Sequence, residues 1–324
     1  MTDAEEVKFH SRLKHEFIKI YLDFYRINVV KNSTTKKTSL PYLQIYDLYA
    51  AKGLCHCDEM ELADPKRSTW PGSALIAAQC IGEYPKSTRL FLNSYHPDFQ
   101  TCENQRAALE KNLERYFAAY PTLKSKTEII SKCVEEAIVD ARRGLVPNYP
   151  NVWILDPYDP ISWNVISSIA NFKGAYPRRG KMIERRPELI INLMSSLLQR
   201  FSETNPEVTS STLGLPEGDW KPIFEEYKKE SGNAREAILR LYFDRLKELY
   251  GKDPVFVLVR DVTNRAVVYA MLFCSTSESG HFVMLKHGLP KFHQFEIEFW
   301  QESAKKIMTK RKTPGQQFLD VGFQ

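Results

Sequence analysis

Val152-Trp153-Ile154-Leu155-Asp156-Pro157-Tyr158 sets an unbroken apolar run against an acid, a proline and a tyrosine. A run without polar alternation reads as a strand covered on both faces, as in parallel sheets, and Asp-Pro reads as its end. Similar runs lie on either side of it. YLQIYDLYAAKG (42–53) has Leu43, Ile45 and Tyr46 as strand residues and breaks at Gly53; RLFLNSY (89–95) and ELIINLM (188–194) are two more. Helical stretches separate them: GSALIAAQCIG (72–82), a segment opened by Pro97 and Asp98 and running to about Tyr116, and one starting at Pro160. An early proline and an acid near the N-terminus suit a helix start. Thr127 to Ile138 reads as a short helix and then a strand ending before Asp140. Strands alternating with helices predict an α/β, Rossmann-like, doubly wound sheet.

Outward from this centre, residues 3–30 read as one helix, because Val7, Leu13, Phe17, Ile18, Ile20, Tyr21, Phe24 and Tyr25 recur at helical spacing. Residues 54–70 read as polar and irregular. AREAILRLYFDRLKELYG (234–251) is helical, with Gly251 as a C-cap candidate. PVFVLVRDV and RAVVYAMLFCST, joined across Thr263-Asn264, predict a closing antiparallel hairpin over 255–275. The expected organisation is an N-terminal helix (1–35), a Rossmann-like core (36–202), a helical insertion (203–252), closing strands (253–285) and a helical, basic tail (286–324).

A hydrophobic content of 43% over 324 residues supports a sizeable core. No apolar run reaches the roughly 18 residues a membrane span needs, and the opening MTDAEEVKFHSRLKHEF lacks a secretion signal's apolar stretch, so a cytoplasmic location with no membrane partner is expected. Six cysteines are too sparse for a disulfide framework. Cys55-His56-Cys57 looks like a fragment of a metal site, but no second Cys/His cluster follows at zinc spacing. It reads as a turn with free thiols, and no metal is assigned. His-Glu-x-x-His, Gly-x-Ser-x-Gly and phosphate-loop motifs are absent.

A doubly wound sheet binds ligands beyond the carboxyl ends of its strands. Asp47, Asn93, Tyr95, Asp140 and Asp156-Pro157-Tyr158 collect at those predicted ends. A nucleoside cofactor needs a tight glycine turn, a polar group for the ribose and an amide or carboxylate for the base. Asp47, Tyr49, Ala50, Gly53, Asn93 and Asp140 are the candidates for one shared cleft. Each is also an ordinary strand-ending or turn residue.

Several stretches together resemble the three-Cys-motif partner protein family (TcmP), a bacterial family with a methyltransferase-like N-terminal region. KHEFIKIYLDFY (14–25) resembles its opening helix, and IYDLYAAKG (45–53) its first-strand Asp-aromatic-Ala-Gly-x-Gly motif. GSALIAA (72–78) is similar to its Gly-Ser-Pro helix start, ILDPYDPISW (154–163) to its Asp-Pro-Tyr-Gly segment, and YAMLFCSTSESGHFVM (269–284) to its closing strand and helix. Asn192 and Arg200 look like family positions in and after the fifth strand. The resemblance implies a sheet of the S-adenosylmethionine-dependent methyltransferase type and a radical-SAM-like protein partner. Asp156-Pro157-Tyr158 is also similar to the Asp-Pro-Pro-Tyr motif of amino-methyltransferases acting on nucleic-acid bases. There the acid and the adjacent carbonyl hold the target amine, and the ring stacks on the base. Such chemistry needs an exposed or flipped base.

The chain departs from these patterns in four places. Ala51 stands for a glycine of the turn, with Lys52 beside it; Asn93 replaces an acidic ribose ligand; Asp159 replaces the glycine after Asp-Pro-Tyr. Basic residues crowd 178–186 (Arg178, Arg179, Lys181, Arg185, Arg186) and 305–312 (Lys305, Lys306, Lys310, Arg311, Lys312), which suits phosphate contacts, although Glu184 and Glu188 mix with the first group. Two functions follow. One is S-adenosylmethionine-dependent methyl transfer to an amine of a nucleic-acid base, with Asp156, Pro157 and Tyr158 holding the target. The other is a degenerate methyltransferase-fold scaffold serving a radical-SAM-like partner. A nuclease reading finds no metal carboxylate cluster to support it.

Overall fold

The apolar runs become the inner strands of one sheet. In the computed structural model, which describes residues 3–34, 43–63, 65–83, 88–146, 149–178, 181–260, 266–299 and 301, the strands in chain order are β1 (Glu5–Glu6), β2 (Leu43–Asp47), β3 (Leu54–His56), β4 (Thr69–Pro71), β5 (Thr88–Asn93), β6 (Thr127–Ile130), β7 (Asn151–Leu155), β8 (Gly174–Arg178), β9 (Lys181–Arg185), β10 (Glu188–Leu193), β11 (Val255–Arg260) and β12 (Val267–Cys274). The helices are α1 (Ser11–Thr34), α2 (Asp58–Ala63), α3 (Ser73–Gly82), α4 (Phe99–Ala119), α5 (Pro121–Lys124), α6 (Val134–Arg143), α7 (Trp163–Ala170), α8 (Ser195–Thr204), α9 (Pro206–Leu213), α10 (Glu217–Ser231), α11 (Ala234–Tyr250), α12 (Glu278–Val283) and α13 (Leu289–Phe299).

Seven strands form the central sheet in the order β11-β12-β10-β7-β2-β5-β6. Those from β10 to β6 are parallel; β12 runs antiparallel to both β10 and β11. The architecture is Rossmann-like α/β, a mostly parallel sheet flanked by helices. Every residue of β2 and β7 is buried, which explains their lack of polar alternation. Leu43, Ile45, Leu90, Leu92, Val152 and Ile154 pack into one core beneath α1, α3 and α4. Tyr46, Phe91, Trp153, Leu155, Leu189 and Ile191 pack into a second beneath α6, α7 and α11. There Tyr46 and Trp153 stack at 4.2 Å between ring centroids. A small sheet, β1-β3-β4, sits apart from the main one. No helix among the described residues is long and apolar enough to cross a membrane.

The closing hairpin forms as read, β11 pairing antiparallel with β12; Thr263 and Asn264 lie outside the described residues. Three expectations are corrected. Residues 127–138 reverse the predicted order: β6 comes first and α6 follows. VEEAIVDARR has acids in its first turn and arginines in its last, as the helix dipole favours, while the β-branched and extended residues sit in Thr127–Ile130. Asp140 is therefore a helix residue and ends no strand. The N-terminal helix starts at Ser11, not residue 3, because Glu5 and Glu6 pair with Cys55 and His56 in β1 and β3. The stretch 54–70 is also ordered, holding β3, α2 and a 3-10 turn over Pro65–Arg67, with β4 beginning at Thr69.

Candidate functional site

The carboxyl ends of β5, β2, β7 and β10 lie side by side, so the residues that follow them share one edge. The turn after β2 is built on Asp47. Its Oδ1 accepts from the Tyr49 N–H at 3.0 Å, and Ser73, the first residue of α3, donates to the same carboxyl. Oδ2 is buried without a hydrogen-bond partner. Burial pushes the carboxyl up to about 7, against the pull of Ser73 and the Tyr49 N–H; nearby Asp156 adds to the rise and Lys14 opposes it. The chain then turns tightly. The Ala50 N–H donates to the Asn93 carbonyl at 2.9 Å, and the Gly53 N–H donates to the Ala50 carbonyl at 3.0 Å. Ala51 adopts φ +45°, the left-handed region normally left to glycine, and no other non-glycine among the described residues does so. An alanine thus holds a backbone conformation that suits glycine, at the cost of strain. Gly53, at φ +75°, has no such freedom to change: a Cβ there would come within 2.7 Å of Leu109 Cδ1.

Asn93 is a strut between two loops. Its Nδ2 donates to the carbonyls of Leu48 at 3.2 Å and Lys132 at 2.9 Å, and its Oδ1 accepts from the Lys132 N–H at 3.0 Å. The amide is spent on main chain and offers little to a ribose. Asp140 reaches this assembly only through Lys132, whose Nζ it binds at 2.6 Å, while Arg143 Nη1 takes the other oxygen at 2.8 Å. The Lys132 hydrogen bond, stronger here than the opposing desolvation, holds the Asp140 carboxyl below its usual range. The structure thus brings Asp47, Tyr49, Ala50, Gly53 and Asn93 together and places Asp140 on α6 with partners of its own.

Asp156 follows β7 directly. Its side chain is 6% exposed and meets Lys14 Nζ from α1 at 2.9 Å (Oδ1) and 2.8 Å (Oδ2). Asn192 of β10 donates from Nδ2 to Oδ1 at 2.8 Å. His15 Nε2 stands 3.7 Å from Oδ2, too long for a full hydrogen bond. The Trp70 indole N–H donates to His15 Nδ1 at 2.9 Å, which fixes the tautomer with the ring proton on Nε2, facing Asp156. Burial alone would raise the Asp156 pKa, but the Lys14 charge with His15 beside it outweighs burial and holds the carboxyl well below the usual range. Burial pushes His15 down, against the attraction of Asp156, so the ring is neutral at pH 7. Ser162, not Asp156, caps α7, accepting from the Asn164 N–H at 3.3 Å. Pro157 is buried and Tyr158 is 63% exposed.

The sequence therefore located the edge but missed the residues that occupy it. Lys14, His15 and Trp70 had no assigned role. Their signal was present: Lys14 and His15 interrupt the apolar stripe of α1 between Leu13 and Phe17, both buried. Of the basic clusters, Lys305 to Lys312 and Arg179 lie outside the described residues. Arg186 is bound within the fold, its Nη1 donating to the Ala170 carbonyl at 2.9 Å. Cys55 and Cys57 are buried, and Cys55 and His56 belong to β3 rather than to a turn. No protein-family model matches the chain, and no curated protein matches it.

Proposed function

We propose that this chain is a binding or scaffold protein on a methyltransferase-type fold and does not transfer methyl groups. The fold type is supported by the sheet order: β12, reversed, lies between β10 and β11, the closing arrangement associated with Rossmann-like methyltransferases. The absence of transfer rests on one observation above all. Asp156, the residue that would accept a target amine, has its buried carboxylate bridged by Lys14 and bound by Asn192. To receive an amine it would have to give up a desolvated ion pair, which costs several kcal/mol.

The residues present fit S-adenosylmethionine poorly. The Gly53 turn and the unpartnered Asp47 Oδ2 suit it, but Asn93 is engaged with main chain and Asp140 with Lys132 and Arg143. The β1 strand pairs with β3, the strand that follows the turn directly, and Lys52 Nζ donates to the Ala4 carbonyl at 3.2 Å. What such a protein serves, by the resemblance of its sequence, is a radical-SAM-like partner. A second reading, methyl transfer to a base amine, is favoured by the exposure of Tyr158, a ring free to stack beside Asp156. The discriminating assay is transfer of radiolabelled methyl groups to total RNA and DNA. No incorporation above a protein-free control is expected; incorporation would establish the second reading.

A further inference from the structure

Cys55-His56-Cys57 is divided by the fold. In an extended strand alternate residues share a face, and the thiols of Cys55 and Cys57 are buried while the His56 ring is turned toward α2. The backbone beneath that ring is held on both sides. Glu6 pairs with His56 across β1 and β3, Thr69 pairs with it across β3 and β4, and the Val7 N–H donates to the His56 carbonyl at 2.8 Å. The ring is held too: Nδ1 lies 3.0 Å from the hydroxyl of its cross-strand neighbour Thr69. With the proton on Nδ1, donated to that hydroxyl, Nε2 presents a lone pair outward. Nε2 lies 3.1 Å from Asp58 Oδ1 and 3.1 Å from Glu61 Oε2.

We propose that His56, Asp58 and Glu61 form a divalent metal site of the zinc class, with His56 Nε2 and one oxygen from each carboxylate as ligands. The three ligand atoms lie within 4.8 Å of one another. Zinc bonds of about 2.0–2.2 Å put tetrahedral ligand atoms about 3.3–3.6 Å apart, so the triad needs only small side-chain adjustments to close on an ion. Asp58 and Glu61 stand three residues apart on α2, whose first turn starts at Asp58, so both carboxylates rise toward the ring from one helix face. The Met60 and Glu61 N–H groups both donate to the Cys57 carbonyl at 3.0 Å, which joins α2 to the strand bearing the imidazole. The Thr69 hydroxyl plays the part of an outer-shell group that fixes the ring and its tautomer. Two carboxylates and a neutral imidazole balance a divalent charge. Three protein ligands leave a tetrahedral ion its fourth position, on the exposed side of the carboxylates.

The metal-free reading puts the ring proton on Nε2 instead, shared between two exposed carboxylates while Nδ1 accepts from Thr69, an arrangement of little energetic worth. The two readings separate on metal titration. Zn2+ is titrated calorimetrically into the full chain after stripping with a chelator, beside Mg2+ and beside the variants Asp58→Asn, Glu61→Gln and, as a control from the same helix, Glu59→Gln. One equivalent of Zn2+ binds the wild type and Glu59→Gln, Mg2+ gives no site, and Asp58→Asn and Glu61→Gln each weaken zinc at least ~10-fold, about 1.4 kcal/mol. The melting midpoints of the metal-free variants stay at the wild-type value, which separates lost ligation from lost folding. Co2+ loaded in place of zinc shows no thiolate charge-transfer band, since Cys55 and Cys57 take no part. Absence of zinc binding by the wild type, equal binding by the Asp58→Asn/Glu61→Gln double variant, or a thiolate band would each overturn the assignment.

Discussion

Replacing Lys14 with Met removes a charge from a site where water cannot compensate. The Lys14 side chain is 12% exposed and Asp156 6%, with Nζ 2.8 Å from Oδ2. At that distance an effective dielectric of about 20 gives an attraction of roughly 6 kcal/mol. The Asn192 donor stays in place and offsets part of the loss. Breaking a buried pair while leaving one charge behind costs about 3–5 kcal/mol, and Lys14→Met should fall in that range at pH 7. The pH dependence is more diagnostic. In the wild type the Asp156 pKa is held below its unfolded value of about 3.9, so its contribution to stability is present above that pH and is lost as pH falls further. Without Lys14, burial raises the folded-state pKa above the unfolded one, so the penalty is largest at neutral pH and shrinks as acid protonates the carboxyl. Urea unfolding of wild type and Lys14→Met between pH 7 and pH 4 measures both quantities. In the double variant Lys14→Met/Asp156→Asn much of the loss should return. A cost below about 1 kcal/mol at pH 7, or one that does not change with pH, would refute a buried ion pair at this edge.

Asp47→Asn should flatten the acid side of the stability profile. The folded-state carboxyl is raised to about 7, so the wild type loses stability as pH rises from about 4 through 7, by an upper limit of about 4 kcal/mol. Melting curves of both proteins across that range test it, since Asn retains the acceptor for the Tyr49 N–H. Asn93→Ala leaves the Leu48 and Lys132 carbonyls and the Lys132 N–H without their partner and should cost about 2–4 kcal/mol in chemical unfolding. Ala51→Gly relieves the left-handed strain but frees the unfolded chain, so stability should rise by up to about 1 kcal/mol or stay unchanged. A clear fall in melting temperature would show that the turn is not strained.

The sheet was legible because its inner strands are buried on both faces and need no polar alternation. The runs ending at Asp47, Asn93 and Leu155 stand out even in isolation. The edge strand β6 was not legible in the same way. None of its four residues is buried, Glu128 is exposed, and Ile129, Ile130, Val134 and Ile138 form a broken series that fits either period. That ambiguity misplaced Asp140. At the site, the sequence showed which residues end strands but not what they meet. Asp156 is joined to Lys14 across 142 positions and Trp70 to His15 across 55, contacts set by how α1 and β4 dock and by nothing local. Asn93 illustrates the same limit: an amide at a strand end can bind a ligand or brace two loops, and only the neighbouring carbonyls decide.

Calorimetric titration of the full chain with S-adenosylmethionine tests the central claim most directly. With Asn93 committed to main chain and Asp140 to Lys132 and Arg143, no saturable heat is expected up to millimolar cofactor. Saturable binding at one equivalent would contradict it and restore a working cofactor pocket at the end of β2.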